Sequence, residues 1–415
     1  MVEHPAALIE TVAIGLVAAF AGGIVAHRLR LPVIVGYLVA GVAVGPFTPG
    51  LVADPDTSKQ LAELGVILLM FGVGIHFSPA DLLSVRAVAV PGAVGQIAVA
   101  TVLGVGVGTA IGWGFVGGLI LGLSVSVAST VVLLRALEAR RELDTAQGRI
   151  AIGWLIVEDL FTVVTLVLLP TVAPMLLGRG GDASTLLVAL LVALLKLIAF
   201  AGLMLVVGRR ITPRLLRWVR STRSRELFTL AVLAVAIGMA VTAYVVFGVS
   251  FALGAFLAGV VLNESELSHE AAQEAMPLRD AFAVLFFVSV GMLFDPGYLL
   301  VAPLAVLCVS LLVIVGKGLA AFLIVVLLRR PLRVALTVSA ALSQVGEFSF
   351  ILATLALTLG LVPDEAFQLI VAAALVSITL NPLLFRMIAP IERWVADRPR
   401  VARLLDPRSR RGAAG

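Results

Sequence analysis

Long apolar runs separated by short polar breaks recur along the entire chain. Crossing the hydrocarbon core as a helix takes about 20 mostly apolar residues. By that measure the runs at 7–26, 32–47, 61–77, 86–111, 115–136, 150–174, 184–208, 226–247, 249–263, 280–294, 299–328, 334–360 and 365–389 predict thirteen transmembrane helices. Two of these runs carry a polar interruption near their middle: Ser126 to Thr130 in the fifth, and Ser343 to Glu347 in the twelfth. Such interruptions predict helices that unwind at mid-depth and turn carbonyls and hydroxyls toward a cavity. Two broken helices crossing at the midplane would cradle a small ion.

Composition supports lipid as the solvent. The chain is 61% hydrophobic and 13% charged, against roughly 45–50% and 25% in soluble domains. Glycines such as Gly41, Gly45, Gly104, Gly108 and Gly118 lie inside apolar runs. There they suit close helix packing rather than a phosphate loop, because none follows a strand-like segment. The single cysteine, Cys308, excludes disulfides and cysteine metal sites. The acidic start of the chain reads as a retained first span, not a signal peptide.

Charge fixes an orientation. With the N-terminus outside, 26 of the 30 lysines and arginines fall in cytoplasmic gaps or the tail. Seven of them lie in the basic, partly amphipathic stretch 209–226, expected to lie as a linker on anionic headgroups. Asymmetry this strong predicts a multi-pass protein of the bacterial inner (cytoplasmic) membrane, with its C-terminus in the cytoplasm. It also accounts for the net charge of +5 without nucleic acid. The stretch 263–280 reads as a separate polar helix on that side.

An internal repeat is also visible. GYLVAGVAVGP at 36–46 aligns with GAFLAGVVLNE at an offset of 218, and LLMFGVGIHFSP at 68–79 aligns with LFFVSVGMLFDP at an offset of 217. Each offset spans seven helices, an odd number, so the second copy is expected upside down. Two inverted six-helix repeats joined by helix 7 are a transporter architecture.

Several ionisable residues break that symmetry. Glu158 and Asp159 lie mid-span, with Leu375 and Val376 as repeat counterparts; Lys317 and Glu347 are likewise unmatched, facing Ala100 and Thr130. A charged group at the bilayer centre costs roughly 2.5–3.5 kcal/mol on insertion scales, so an intramembrane cluster implies function. Neighbouring helix residues point about 100° apart, so Glu158 can face Lys317 while Asp159 faces the cavity. Asp159 would then carry either a proton or a metal ion. Oxygen ligands suit a hard monovalent cation, and clusters of thiolate or imidazole are absent from the sequence. Thr162 and Thr165 share a face with Glu158, either lining the path or packing. Lys196, in helix 7, reads as snorkelling or paired.

In combination, GWLIVEDL, SVASTVVLLRALE, LFFVSVGMLFDP, SRELFTL and SQVGEFSFILA resemble the Kef/RosB-type branch of the monovalent cation:proton antiporter-2 family, over about residues 8–390. The resemblance implies the sodium/proton antiporter fold and a homodimer. Within 1–390, helices 1–3 and 8–10 would form the dimerisation part, helices 4–6 and 11–13 the core transport part, and helix 7 the linker. The core would move like an elevator. Asp159 matches the family's ion-binding aspartate, with Glu158 before it, and Ser129 and Thr130 match the unwound helix 5. Lys317 matches the buried lysine, and Glu347 the acid of the second broken helix. The expected tail, 391–415, is basic and carries no nucleotide-binding domain. No cofactor is expected.

The function this implies is exchange of potassium, or sodium, for protons by alternating access. A channel or uniporter, or a sodium-coupled symporter of the same fold, is the competing class. An enzyme is not expected: an intramembrane aspartyl protease needs a second membrane-embedded aspartate, which Asp159 lacks.

Overall fold

The computed structural model describes residues 7–49, 54–76, 79–179, 202–247, 251–263 and 265–398, with scattered positions between 184 and 200. Lys196 and the tail from 399 onward lie outside the described residues. All regular structure among the described residues is helical. The helices are α1 (Ala7–Arg28), α2 (Val33–Val44), α3 (Pro55–His76), α4 (Pro79–Ala110), α5 (Gly114–Val125), α6 (Thr130–Glu138) and α7 (Ala146–Leu176). A π turn, Met204–Gly208, leads into α8 (Arg209–Ser221), followed by α9 (Arg225–Phe247), α10 (Phe251–Asn263) and α11 (Ser268–Met292). Then come α12 (Pro303–Leu327), α13 (Leu332–Leu342), α14 (Glu347–Thr358) and α15 (Glu365–Ala396).

Among the described residues, eight helical spans are long and apolar enough to cross a membrane, counting α5 and α6 as one, and nine if α13 and α14 are also one. α13 and α14 bend by 44° at their junction. Three shorter apolar helices, Val33–Val44, Gln60–Ile75 and Phe251–Asn263, accompany them.

One expectation is corrected. The polar stretch 263–280 is not separate from the following span: α11 runs without interruption from Ser268 to Met292. The sequence Ser-His-Glu-Ala-Ala-Gln-Glu-Ala is rich in strong helix formers, so the helix continues where hydropathy fades.

The chain divides into two compact units. The first comprises residues 1–25, 36–78 and 163–293. Its helices approach until backbone touches backbone, at glycines. A Cβ on Gly41 would collide with the Val288 carbonyl, and one on Gly291 with the Leu38 carbonyl. Likewise Gly74 abuts the Phe256 carbonyl and Gly259 the Phe71 carbonyl. The repeat offsets carry Gly41 onto Gly259 and Gly74 onto Gly291, so the α2–α11 crossing corresponds to the α10–α3 crossing contact for contact.

The second unit comprises residues 26–35, 79–162 and 294–415. Its apolar core gathers Ala89, Leu133, Trp154, Ala335 and Phe385 from α4, α6, α7, α13 and α15. Gly92 makes room for Trp154, whose ring would overlap any Cβ there. At one rim, Arg333 bridges Glu142 at 2.7 Å and Glu392 at 3.1 Å.

Candidate ion-binding site

The second unit holds two helix interruptions, and they touch. α5 stops at Val125 and α6 starts at Thr130; α13 stops at Leu342 and α14 starts at Glu347. The Gly346 amide donates to the Val127 carbonyl at 3.1 Å. A Cβ on Gly346 would strike the Ala128 carbonyl, so glycine is required by proximity rather than by its φ of −104°.

Unwound backbone in a dry interior must find partners, since each unpaired group costs free energy comparable to a lost hydrogen bond. Side chains from neighbouring helices and from the other interruption supply them. Gln96 on α4 donates to the Ser126 carbonyl at 2.8 Å and is itself held by the Trp154 indole at 3.0 Å. Glu158 accepts from the Ala128 amide at 2.9 Å. Gln344 accepts from the Ser129 amide at 3.0 Å and donates to the Ser129 carbonyl at 3.1 Å. Ser129 caps α6 by accepting from the Val132 amide at 3.3 Å.

The second interruption is satisfied the same way. Lys317 donates to the Gln344 carbonyl at 3.1 Å, just past the C-terminal end of α13, where a cation suits the helix dipole. The Val345 amide donates to Ser377 at 3.3 Å, and Asn381 donates to the Ala340 carbonyl at 2.7 Å.

Five of the six residues singled out in the sequence are buried here: Ser129, Glu158, Asp159, Lys317 and Glu347. Thr130 is half-buried and its hydroxyl donates to Asp159 at 3.2 Å. Among the described residues the other Asp159 oxygen has no hydrogen-bond partner, nor has the Ser349 hydroxyl. Glu347 and Glu158 are the charges that act on Asp159, and Lys317 acts on Glu158 through space. Glu158 and Lys317 form no ion pair among the described residues: the ammonium is engaged by Gln344 and the carboxylate by Ala128. Glu158 and Lys317 still act on one another through space, without direct contact. Thr162 bonds back to the Glu158 carbonyl at 2.9 Å, which is packing within its own helix.

Sequence reasoning missed Gln96, Gln344 and Trp154. A signal existed for the glutamines, since an amide in an apolar run can complete a broken helix with both a donor and an acceptor. Among the described residues no group of three or more His, Cys, Asp and Glu side chains converges as metal ligands do. A cation at Asp159 would therefore draw on hydroxyl and carbonyl oxygens as well as carboxylate.

Comparison with known proteins agrees with this architecture. The transmembrane family described as "Sodium/hydrogen exchanger, transmembrane" matches residues 15–389. The "Putative cation/proton antiporter YbaL" of Escherichia coli (strain K12) is 56% identical over 394 residues, covering 95% of this chain and 70% of the relative. The "K(+) efflux antiporter 4" of Arabidopsis thaliana is 32% identical over 92% of this chain, which spans only 64% of that protein's length. In fold, the sodium proton antiporter MjNhaP1 from Methanocaldococcus jannaschii superposes with a TM-score of 0.69 at 18% identity, covering 92% of this chain and 98% of that one. The chain belongs to the sodium/hydrogen exchanger family, as a Kef-type member of its cation:proton antiporter-2 branch.

Proposed function

We propose that this chain exchanges a monovalent cation for protons across the membrane, with potassium favoured over sodium and Asp159 as the shared site. One observation carries the proposal. Asp159 is buried at the meeting of two helix interruptions, with one oxygen on the Thr130 hydroxyl and the other without a partner among the described residues. A carboxylate in that position is neutralised by a proton or by a cation, and not by both together. Competition at one site, combined with alternating access, yields coupled exchange. Ser129 and Thr130 would contribute oxygens, Glu347 a second carboxylate, and Lys317 and Glu158 the charge balance. Potassium is favoured because the Arabidopsis relative is described as a potassium efflux antiporter.

The proposed organisation has thirteen spans, N-terminus outside, in an inner membrane. That count takes the three shorter apolar helices and the apolar run 184–208 of the sequence as further spans. Inverted repeats are supported by the paired glycine crossings of the first unit. The first unit would form the dimerisation part of a homodimer. The second, which contains both interruptions, would travel as the elevator.

Vesicles containing the purified protein, loaded with potassium, sodium or lithium and given an imposed proton gradient, test this. Cation movement against its own gradient, driven by protons moving down theirs in the opposite direction, is expected, and Asp159→Asn vesicles should show none. Cation flux that only runs downhill would replace the proposal with a channel or uniporter. Cation movement that requires an organic solute would replace it with a symporter.

A further inference from the structure

α8 carries stripes of different chemistry along its length. Thr212, Leu216 and Val219 are buried at i, i+4 and i+7. One position earlier, in the same register, Ile211, Leu215 and Trp218 are exposed apolar residues. One earlier again, Arg210, Arg214 and Arg217 are exposed. A helix set in the membrane interface shows this arrangement, with an indole at headgroup level and arginines beside it.

The apolar stripe does not end at α8. Ile211 and Leu215 form one side of a groove of about 250 Å³ whose other lining includes Met204 from the π turn and Val235, Gly238 and Met239 from α9. Gly238 is exposed and has open space where a Cβ would stand, with no heavy atom within 4 Å. Glycine inside an exposed helix costs up to about 1 kcal/mol relative to alanine, and neither a turn nor a positive φ explains it here. A side chain much larger than a methyl at this position would project into the groove.

The arginines are also set apart from their neighbours. Arg220 pairs with Glu270 at 3.3 Å and Arg225 with Glu274 at 2.7 Å. Arg210, Arg214 and Arg217 have no carboxylate partner among the described residues. Arg214 and Arg217 bond only to the carbonyls of Arg210 and Pro213, each at 3.2 Å. Three adjacent guanidinium groups without acids, next to an apolar groove, complement a molecule with an anionic head and an alkyl chain.

We propose that this place binds an anionic phospholipid of the surrounding bilayer, with an acyl chain in the groove at Gly238 and the phosphate on Arg210, Arg214 and Arg217. The site lies within the first unit and is independent of the Asp159 site.

Native mass spectrometry of the detergent-purified protein, titrated with phosphatidylglycerol or phosphatidylcholine, tests it. Phosphatidylglycerol should be retained in preference to phosphatidylcholine. Gly238→Leu should abolish that preference by filling the groove, whereas Gly238→Ala, which adds one methyl in open space, should keep it. Arg214→Gln with Arg217→Gln should weaken retention about fivefold per charge, the worth of a basic residue near an anionic surface. Thermal unfolding of each variant identifies any that misfolds, and the arginine pair then stands as the independent reading. Equal retention of the two lipids by the unaltered protein would overturn the proposal. So would phosphatidylglycerol retention unchanged in well-folded Gly238→Leu or in the arginine variant.

Discussion

Gln344 holds the peptide of Ser129 at both ends, its side-chain oxygen on the amide at 3.0 Å and its nitrogen on the carbonyl at 3.1 Å. One side chain thus supplies to an unwound strand of backbone what a neighbouring β-strand supplies in a sheet. Gln344→Ala would leave the Ser129 amide buried and unpaired, at about 1–3 kcal/mol, while the Ser129 carbonyl keeps the Leu133 amide at 3.1 Å. A loss of about 1–3 kcal/mol is expected in denaturation of the solubilised protein, together with loss of transport. Stability within about 0.5 kcal/mol of the unaltered protein, a change ordinary for surface sites, would show that the bonds are dispensable.

Gly346→Ala tests the contact between the two interruptions. The new methyl would meet the Ala128 carbonyl, so the segments must separate. Overpacking of this kind costs about 1–3 kcal/mol. Gly106→Ala is the control: no heavy atom lies within 4 Å of its Cβ position, and alanine in that helix should be neutral or stabilising by up to about 1 kcal/mol. Side-by-side thermal unfolding of the two variants should show opposite signs.

Much of this was legible in the sequence, for local reasons. Ser126–Thr130 and Ser343–Glu347 announce themselves because serine, glycine and glutamate stand out in apolar runs. Glu158, Asp159 and Lys317 stand out because hydrocarbon penalises charge. The partners of the unwound backbone were not legible, since Gln96 comes from α4 and Gln344 from the other interruption, both distant in sequence, and only packing pairs them with Ser126 and Ser129. The same limit explains Lys317, whose charge pointed to Glu158 while its bond goes to a carbonyl. Hydropathy also divided α11, because it measures lipid compatibility and not helix continuity.

Asp54 gives a pH-dependent prediction away from the membrane interior. Its carboxylate accepts from the Thr57 amide at 2.7 Å and caps α3, while its own amide bonds Thr11 at 3.0 Å. Those bonds from Thr57 hold the Asp54 carboxyl below its ordinary value. A group depressed on folding stabilises above its unfolded pKa, about 3.9, and that contribution disappears as pH falls through the folded value. Asp54→Ala should therefore cost about 1 kcal/mol near neutral pH, and progressively less as pH falls below about 3.9. Asp54→Asn keeps an uncharged cap, so its stability relative to the unaltered protein should rise on acidification. Thermal unfolding across that range checks both.

At the proposed exchange site, Thr130 and Asp159 should separate affinity from coupling. Thr130→Val removes the hydroxyl that donates to Asp159. A hydrogen bond to a charged group is worth about 1.5–3 kcal/mol, so the half-saturating cation concentration should rise about tenfold or more. Thr130→Ser should stay close to the unaltered protein. Asp159→Asn should instead abolish cation-dependent proton flux at every concentration. Flux in that variant restored by raising the cation would mean that the proton travels on another group.

Different substitutions separate two tasks of Glu158, one seen and one proposed. Its one bonded oxygen satisfies the Ala128 amide, and in the proposed mechanism its charge would balance that of Lys317. Glu158→Gln keeps an acceptor for the amide and removes the charge. The fold should survive, exchange should continue, and the charge moved per cycle or its pH dependence should change. Glu158→Leu removes the acceptor as well, leaving the Ala128 amide buried without a partner at a further cost of about 1–3 kcal/mol. Current and tracer flux recorded together in vesicles give the charge per ion, and unfolding gives the stability. If Glu158→Gln and the unaltered protein have the same electrical profile at every pH, Glu158 is a backbone anchor alone. The charge opposite Lys317 would then have no part in stoichiometry.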